Sequence, residues 1–363
     1  MTSHLQTKLP PQLQPQLRRV ALDVMGGDAA PTPELSGALA AAREGLARIV
    51  LVGDENKIKA GLASLGADLV SLGGALSVHH APDVITMHDH PAQAARTKKT
   101  SSMRVAFDLV RDGEADAVVS AGNSGAMMAC GLFVLRRVNG LDRPGVCTTF
   151  PAKKGVCALI DMGANTEVRA ITLAQFAVLG ATYVRLVHGV VRPRVGLLSN
   201  GTEEGKGTEL TREALAMLRR STDKSFQFIG YVEGRDIFGG DVDVVVTDGF
   251  TGNVVLKTAE GAASVITTLL KEEVLASPMR KLGALLLRGA FRSLGRRLDY
   301  AEHGGAPLLG VEGNVVLCHG GSNAKAIKNG IKMAARLSRA GLVDAVKTAL
   351  VSSADLWAAA ATA

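Results

Sequence analysis

Asp243-Val-Val-Val-Thr-Asp-Gly249-Phe-Thr251-Gly252 and the similar stretch Asp116-Ala-Val-Val-Ser-Ala-Gly122-Asn-Ser124-Gly125 share one pattern. Each has a short β-branched run, then two glycines three positions apart with a hydroxyl residue between them. Continuous apolar runs of this length are typical of strands buried on both faces of a parallel sheet. Each stretch therefore predicts a strand that leads into a helix through a glycine-rich turn.

Similar strand-like runs recur along the chain and alternate with helix-period segments. This alternation predicts an α/β protein, with three layers in which helices cover both faces of a mostly parallel sheet. In open sheets of this kind, ligands bind beyond the carboxyl ends of the strands. The further runs are residues 18–24, 48–54, 76–82, 155–163, 194–200, 226–232 and 314–320.

Composition indicates a globular protein, since 47% of the 363 residues are hydrophobic and 21% are charged. Residues 1–17 are rich in Gln and Pro and predict a disordered N-terminal tail. We expect residues 18–350 to form a single α/β unit and residues 351–363 to be a helix end or tail. The apolar runs are interrupted by Lys, Arg or Gly, so no membrane-spanning segment is predicted.

Several classes of protein are disfavoured by the sequence. A net charge of +7 suggests nucleic-acid binding, but aromatic residues are only 4% of the chain and basic residues are mixed with acids. The four cysteines form no CxxC pair and read as buried thiols. The cluster His88-Asp89-His90 lacks a distant ligand set, and the glycine turns match neither a Walker loop nor GxGxxG. We therefore predict no metal and no nucleotide cofactor.

The glycine-rich turns are candidate anion sites. Residues 161–166 and 319–323 have related chemistry in looser spacing. A helix N-terminus offers unpaired N–H groups, and glycine lets an anion approach the backbone closely. Several such turns side by side predict a phosphate site, although glycine also serves tight turns and packing.

Seven motifs, in order along the chain, resemble those of the bacterial phosphate acyltransferases. The match extends from about Arg18 to the neighbourhood of Leu350. The motifs are VALDVMGGDAAP at 20–31, RTKKTSSM at 96–103, AGNSGA at 121–126, DMGANTE at 161–167, GTEEGKG at 201–207, DGFTGN at 248–253 and GGAPLLG at 304–310.

The resemblance implies a homodimeric enzyme with a fold like those of phosphate acetyltransferase and isocitrate dehydrogenase. The family moves a fatty acyl group from acyl carrier protein to inorganic phosphate and uses no metal or organic cofactor. The resulting acyl phosphate is a substrate for glycerol-phosphate acyltransferase in phospholipid synthesis.

This reaction needs positioning and charge stabilisation, because phosphate is itself the nucleophile. The resemblance favours Lys206 as a catalytic residue, although it also fits a solvated loop lysine. Asn253 is the second predicted catalytic residue, because its amide at a helix start can donate to an oxyanion, although it also fits a helix cap. Ser101 equally fits a helix cap. We assign Asp161 an orienting role within the site. The predicted substrate-binding residues are Gly26, Gly27, Lys99, Ser101, Gly122, Asn123, Ser124, Gly125, Asp161, Gly163, Asn165, Gly249, Thr251 and Gly252.

The segment 275–300 concentrates basic charge beside an apolar LGALLL run. If it is one amphipathic helix, Arg288, Arg292 and Arg296 share a face. That face suits an anionic membrane or the acidic carrier protein, and a helix that packs in a dimer fits equally well. Peripheral attachment of a cytoplasmic enzyme to the inner face of the cell membrane is therefore predicted.

Three other functions remain open from the sequence. The first is a coenzyme A-dependent phosphate acyl- or acetyltransferase, which differs in the acyl donor. The second is an oxidoreductase similar to isocitrate dehydrogenase, for which no metal-binding aspartates are apparent. The third is a non-catalytic scaffold that binds phosphate or lipid.

Overall fold

A computed structural model describes residues 17–203, 205–298 and 304–358. Residues 1–16 of the predicted tail and residues 359–363 of the predicted C-terminal end lie outside this range. The strands are β1 Arg19–Asp23, β2 Arg48–Gly53, β3 Leu76–His80, β4 Ala117–Ser120, β5 Gly145–Pro151, β6 Val156–Ile160, β7 Arg194–Leu198, β8 Gln227–Val232, β9 Val244–Val246, β10 Ala306–Leu309 and β11 Asn314–Leu317.

These strands form one sheet in the order β3-β2-β1-β4-β11-β10-β5-β6-β9-β7-β8. The first five strands in that order are mutually parallel, and so are the last four. Between them, β10 and β5 pair antiparallel with each other and with their outer neighbours. The two parallel groups therefore run in opposite directions within one continuous sheet.

Helices cover both faces of the sheet, which confirms the predicted α/β fold with a mostly parallel sheet. The helices of the described residues are α1 Thr32–Arg43, α2 Glu55–Ser64, α3 Pro91–Thr97, α4 Ser102–Arg111, α5 Ser124–Cys130, α6 Ala170–His188, α7 Glu209–Arg219, α8 Gly249–Leu275, α9 Pro278–Leu286, α10 Arg288–Leu298, α11 Ala324–Arg339, α12 Leu342–Ser352 and α13 Asp355–Ala358.

The largest buried cluster includes side chains of α1, α6 and α11 together with those of the central strands. A second cluster lies beneath α4 and α5, and a third lies against the first turns of α8. Helix α6 is long and apolar enough to cross a membrane, although no segment of this kind was predicted from the sequence. Its apolar window is 83% buried inside the protein, as expected for a core helix.

The nine predicted strands are all present, whereas β5 and β10 were not predicted. The basic segment also differs from the single helix that was expected. Leu287 separates α9 from α10, so the segment does not form one continuous helix, although Arg288, Arg292 and Arg296 all belong to α10. No residue of α9 is buried, and Leu285, Leu286 and Leu287 are exposed.

Candidate active site

A cleft of about 870 Å³ lies where the glycine-rich turns meet α8. Its size is within the ordinary range for ligand pockets. The turns that follow β4, β6, β9 and β11 all contribute to its lining, although these strands belong to the two oppositely directed groups. The predicted site residues that line it are Gly122, Ser124, Gly125, Gly163, Gly249 and Asn253.

The turn after β4 presents two exposed residues, Ser124 and Gly125, to the cleft. Asn123 just before them has its side chain engaged elsewhere. Its Oδ1 accepts a hydrogen bond from the Ala126 N–H at 3.1 Å, and its Nδ2 donates to the Thr86 carbonyl at 3.3 Å. Asn123 therefore caps α5 and holds the preceding loop, and this leaves the backbone at Ser124 and Gly125 as the open part of the turn.

Asp161 organises the turn after β6 from a buried position. Its carboxylate accepts hydrogen bonds from the backbone N–H groups of Val146 at 3.0 Å, Ala164 at 3.1 Å and Asn165 at 2.7 Å. The Asn165 side chain adds a fourth donor at 2.9 Å. Burial raises the pKa of Asp161, and these hydrogen bonds oppose the shift. Asp161 and Asn165 shape the turn, whereas Gly163 reaches the cleft.

The start of α8 is fastened to that turn. Asp248 caps the helix, since its two carboxylate oxygens accept from the Thr251 N–H at 2.8 Å and the Thr251 hydroxyl at 2.7 Å. The Gly249 N–H donates to the Asn165 carbonyl at 2.7 Å. A Cβ at Gly252 would lie 1.8 Å from the Asp161 carbonyl oxygen. Thr251 and Gly252 therefore serve the contact between two turns, whereas Gly249 and Asn253 line the cleft.

The glycines of the first motif pack behind the cleft and do not line it. A Cβ at Gly26 would lie 2.9 Å from the Gly122 Cα, so the two backbones approach as only glycine permits. The Asp28 N–H donates to the Gly320 carbonyl at 2.9 Å, and Asp28 does line the cleft. At Gly27, a Cβ would lie 2.2 Å from the buried Glu34 carboxyl.

The segment before α4 is a structural support. The Ser101 hydroxyl caps α4 by accepting from the Arg104 N–H at 3.4 Å, and it donates to the Lys98 carbonyl at 2.8 Å. The Lys98 Nζ lies 2.7 Å from a carboxylate oxygen of Asp89. The acid of the His88-Asp89-His90 cluster is therefore already engaged in an ion pair. Lys99 is exposed and does not line the cleft. For Ser101, the helix-cap interpretation is the one that fits the geometry.

Lys206 lies on the exposed loop between β7 and α7 and is not among the residues that line the cleft. Strand β7 is the neighbour of β9 and runs parallel to it. The Lys206 loop is therefore at the same edge of the sheet as the turn that carries Asn253.

Lys257 on α8 is the only Lys or Arg among the described residues that line the cleft. Its Nζ lies 2.9 Å from the Glu260 carboxylate, and both side chains are about half exposed. The sequence pattern alone does not distinguish it, because a helical lysine usually belongs to a solvated face. The spacing of four residues from Asn253 was the available signal, since it places both side chains on one side of a helix.

The predicted contact residues for membrane or carrier lie apart from the cleft. Arg288 and Arg292 are exposed on α10 and are not lining residues. Arg296 belongs to the same helix, and its side chain lies outside the described residues. No group of three or more His, Cys, Asp or Glu side chains suited to a metal occurs in the described ranges.

Comparisons with known proteins identify the family of the chain. A family model described as "Fatty acid synthesis protein" matches residues 18–344. The chain is 53% identical to the phosphate acyltransferase of Geobacter sulfurreducens over 324 residues, which is 89% of this chain and 92% of that protein. It is 49% identical to the phosphate acyltransferase of Trichlorobacter lovleyi over 331 residues, 90% of this chain and 93% of that one.

Solved structures of phosphotransacetylases share the fold. The enzyme from Streptococcus pyogenes superimposes with a TM-score of 0.60, and EutD phosphotransacetylase from Staphylococcus aureus with 0.58. Each is 16% identical and covers 89% of this chain and 94% of its own. The family match and the identity to curated relatives over most of the sequence lead to one conclusion: this chain is an acyltransferase and belongs to the phosphate acyltransferase family.

Proposed function

We propose that the chain transfers a fatty acyl group from an acyl-[acyl carrier protein] thioester to inorganic phosphate, releasing acyl phosphate and the free carrier thiol. The observation that supports this most strongly is the composition of the cleft. One cavity combines open glycine turns, a single lysine and an apolar wall. These are the surfaces that a phosphate and a long acyl chain require.

The chemistry follows from the reactants. A phosphate oxygen attacks the thioester carbonyl carbon, negative charge develops on the carbonyl oxygen, and the C–S bond then breaks. The thiolate leaves with the electron pair and takes a proton from solvent. The protein must hold phosphate close to the carbonyl and stabilise the oxyanion.

Named groups are suited to these two tasks. The backbone at Ser124 and Gly125 and the Lys257 ammonium hold phosphate, because both offer positive charge to the cleft. The Asn253 amide donates to the oxyanion from the first turn of α8. Lys206 supplies a second positive charge from the loop at the same edge of the sheet, a role that rests on the family resemblance.

The acyl donor distinguishes this proposal from its nearest alternative, a coenzyme A-dependent phosphate acyltransferase. The phosphotransacetylases that share the fold carry acetyl transfer in their names, so the alternative deserves a direct comparison. We expect phosphate-dependent acyl phosphate formation from palmitoyl carrier protein, with a much lower kcat/KM for palmitoyl coenzyme A. Equal or better use of coenzyme A thioesters would favour the alternative, and phosphate binding without turnover would favour a scaffold. Activity should persist in EDTA.

The same proposal extends to partners and location. The chain acts as a homodimer in the cytoplasm and attaches peripherally to the inner face of the cell membrane through α9 and α10. There it passes the acyl phosphate to a glycerol-phosphate acyltransferase. Exposed leucines and the basic residues Arg288, Arg292 and Arg296 support this attachment. Docking of acyl carrier protein on the same segment is the rival interpretation.

A further inference from the structure

Two stripes of residues face the cleft from α8. The polar stripe consists of Asn253, Lys257 and Glu260, and beside it Leu256, Ala259 and Ala263 form an apolar stripe. Spacings of three and four residues place each set along one side of the helix. The Lys257 ammonium lies beside the Glu260 carboxylate, so beyond Asn253 the helix presents the cleft with an ion pair and, next to it, a row of apolar side chains.

An aromatic pair stands against the apolar stripe. Phe150 and Phe238 meet edge to face, with ring centroids 5.7 Å apart, and both line the cleft. Leu256 and Ala259 pack against the buried cluster that contains Phe150. Phe238 is 40% exposed, so a large apolar ring is left open to the cavity.

We propose that the groove between this aromatic pair and the apolar stripe of α8 holds the alkyl chain of the acyl group, and that Ala259 and Ala263 keep it open for long chains. The inference rests on the proposed function and adds the position of the chain. The groove begins at Asn253, where the thioester carbonyl is placed, and it belongs to the same cavity as the phosphate-binding turns. Alkyl carbons are the occupant that its lining matches.

The length of the groove follows from the rise of the helix that lines it. Ala263 lies ten residues beyond Asn253, and a helix rises about 1.5 Å per residue, so the distance along α8 is about 15 Å. An extended alkyl chain advances about 1.3 Å per carbon, as its bond lengths and angles require. About twelve carbons therefore fit between the two residues. Each buried methylene strengthens binding roughly fourfold, so long chains are selected as long as Ala263 lets them pass.

The test is the chain-length profile of Ala263→Trp and Ala263→Leu. Wild-type and variant enzymes are assayed with four-carbon and sixteen-carbon acyl carrier protein. We expect Ala263→Trp to lower kcat/KM for the sixteen-carbon donor by about tenfold or more, because a large side chain blocks the groove. Its value for the four-carbon donor stays within about twofold, since that chain ends before Ala263. Ala263→Leu should give a smaller shift in the same direction.

Ala63→Trp, at an exposed position of α2, is the control for a bulky substitution on a helix. An unchanged ratio between the two donors, or an equal loss for both, would overturn the inference. A profile altered by Met128→Trp on the α5 side of the cleft, and not by the Ala263 variants, would overturn it as well. Absence of acyl phosphate from every donor with the wild type would instead reject the proposed function.

Discussion

At the scale of single residues, Lys206 has the role that most needs a test. The family resemblance favours it as a catalytic residue, yet it is not among the residues that line the cleft. Lys206→Ala should reduce kcat by about two to three orders of magnitude through loss of one charged transition-state contact. The thermal midpoint should hardly change, because the side chain is exposed. Steady-state kinetics would show whether Lys206 contributes to turnover, with Lys224→Ala, at another exposed lysine, as the control. Near-normal activity would make Lys206 an ordinary loop lysine.

Lys257 is expected to act on phosphate. Lys257→Ala should raise the KM for phosphate by about tenfold or more, since a charge-assisted hydrogen bond to the anion is lost. Glu260→Gln leaves the lysine in place and removes its competing partner, so it should not raise that KM. Initial rates against phosphate concentration measure both. If the two variants weaken phosphate equally, the ion pair serves only to brace α8.

Glu34 gives the molecule a pH dependence of stability. Burial raises its pKa from 4.5 to about 7, and the nearby Asp23 and Asp28 add to the shift. One oxygen of this carboxyl has no hydrogen-bond partner within the described residues. The protonated carboxyl therefore favours the folded state fully below about pH 4.5, and this contribution is lost as the pH rises through about 7.

The full loss amounts to about 3.5 kcal/mol, because one pKa unit corresponds to about 1.4 kcal/mol. Glu34→Gln should remove it, so the variant gains unfolding free energy relative to wild type between pH 5 and pH 8. Urea unfolding at the two pH values measures the difference. A difference between the two proteins that does not change with pH would show that Glu34 titrates normally.

The residue types suited to the site could be predicted from the sequence. Which of their polar groups are free to bind a ligand could not. Asn123, Ser101 and Thr251 have the right chemistry for phosphate, yet their polar atoms are already engaged in helix caps and loop contacts. A single sequence cannot tell an engaged donor from a free one, because the partners are carbonyls brought in by the fold. Lys257 was missed for the opposite reason, since only the packing of α8 on the cleft distinguishes it from a solvated lysine.

At the scale of elements, α9 and α10 carry the membrane prediction. Replacing Arg288, Arg292 and Arg296 by Glu should release the protein from anionic vesicles in flotation assays. Each cation near such a surface contributes about 1 kcal/mol, and added salt should have the same effect. Leu286→Glu should also weaken attachment, because this leucine is 81% exposed. Persistent vesicle binding with a collapsed affinity for acyl carrier protein would identify a carrier-docking surface.

The two strands that were not predicted, β5 and β10, are those that depart from the alternation of parallel strands and helices. Strand β10 has Pro307 within a central sheet position, where proline is uncommon because it lacks an N–H donor. Strand β5 lies in an antiparallel pair, while the surrounding sequence alternates strand and helix. Local pattern identifies parallel βα units, whereas the reversal of direction between the two halves depends on long-range pairing.

At the scale of the whole molecule, α8 has a second role in the proposed homodimer. Val254, Val265 and Leu269 are about half exposed, and their spacing places them on the side of the helix away from its cleft-lining residues. An apolar face of this kind favours burial against a second copy. Val265→Glu with Leu269→Glu should shift the protein to monomer in light scattering coupled to gel filtration. Lys271→Glu on the same helix is the control, and an unchanged mass in the double variant would place the interface elsewhere.

The pairing of β4 with β11 has a consequence for how the chain is made on the ribosome. Ala117 lies opposite Asn314, so nearly the whole polypeptide is synthesised before this edge of β4 finds its partner. Until then the nascent first half keeps an open strand edge, and such edges invite wrong pairing between chains. Translation therefore leaves a long interval in which this edge of β4 has no partner strand, and we expect a polypeptide released before residue 314 to aggregate through that edge.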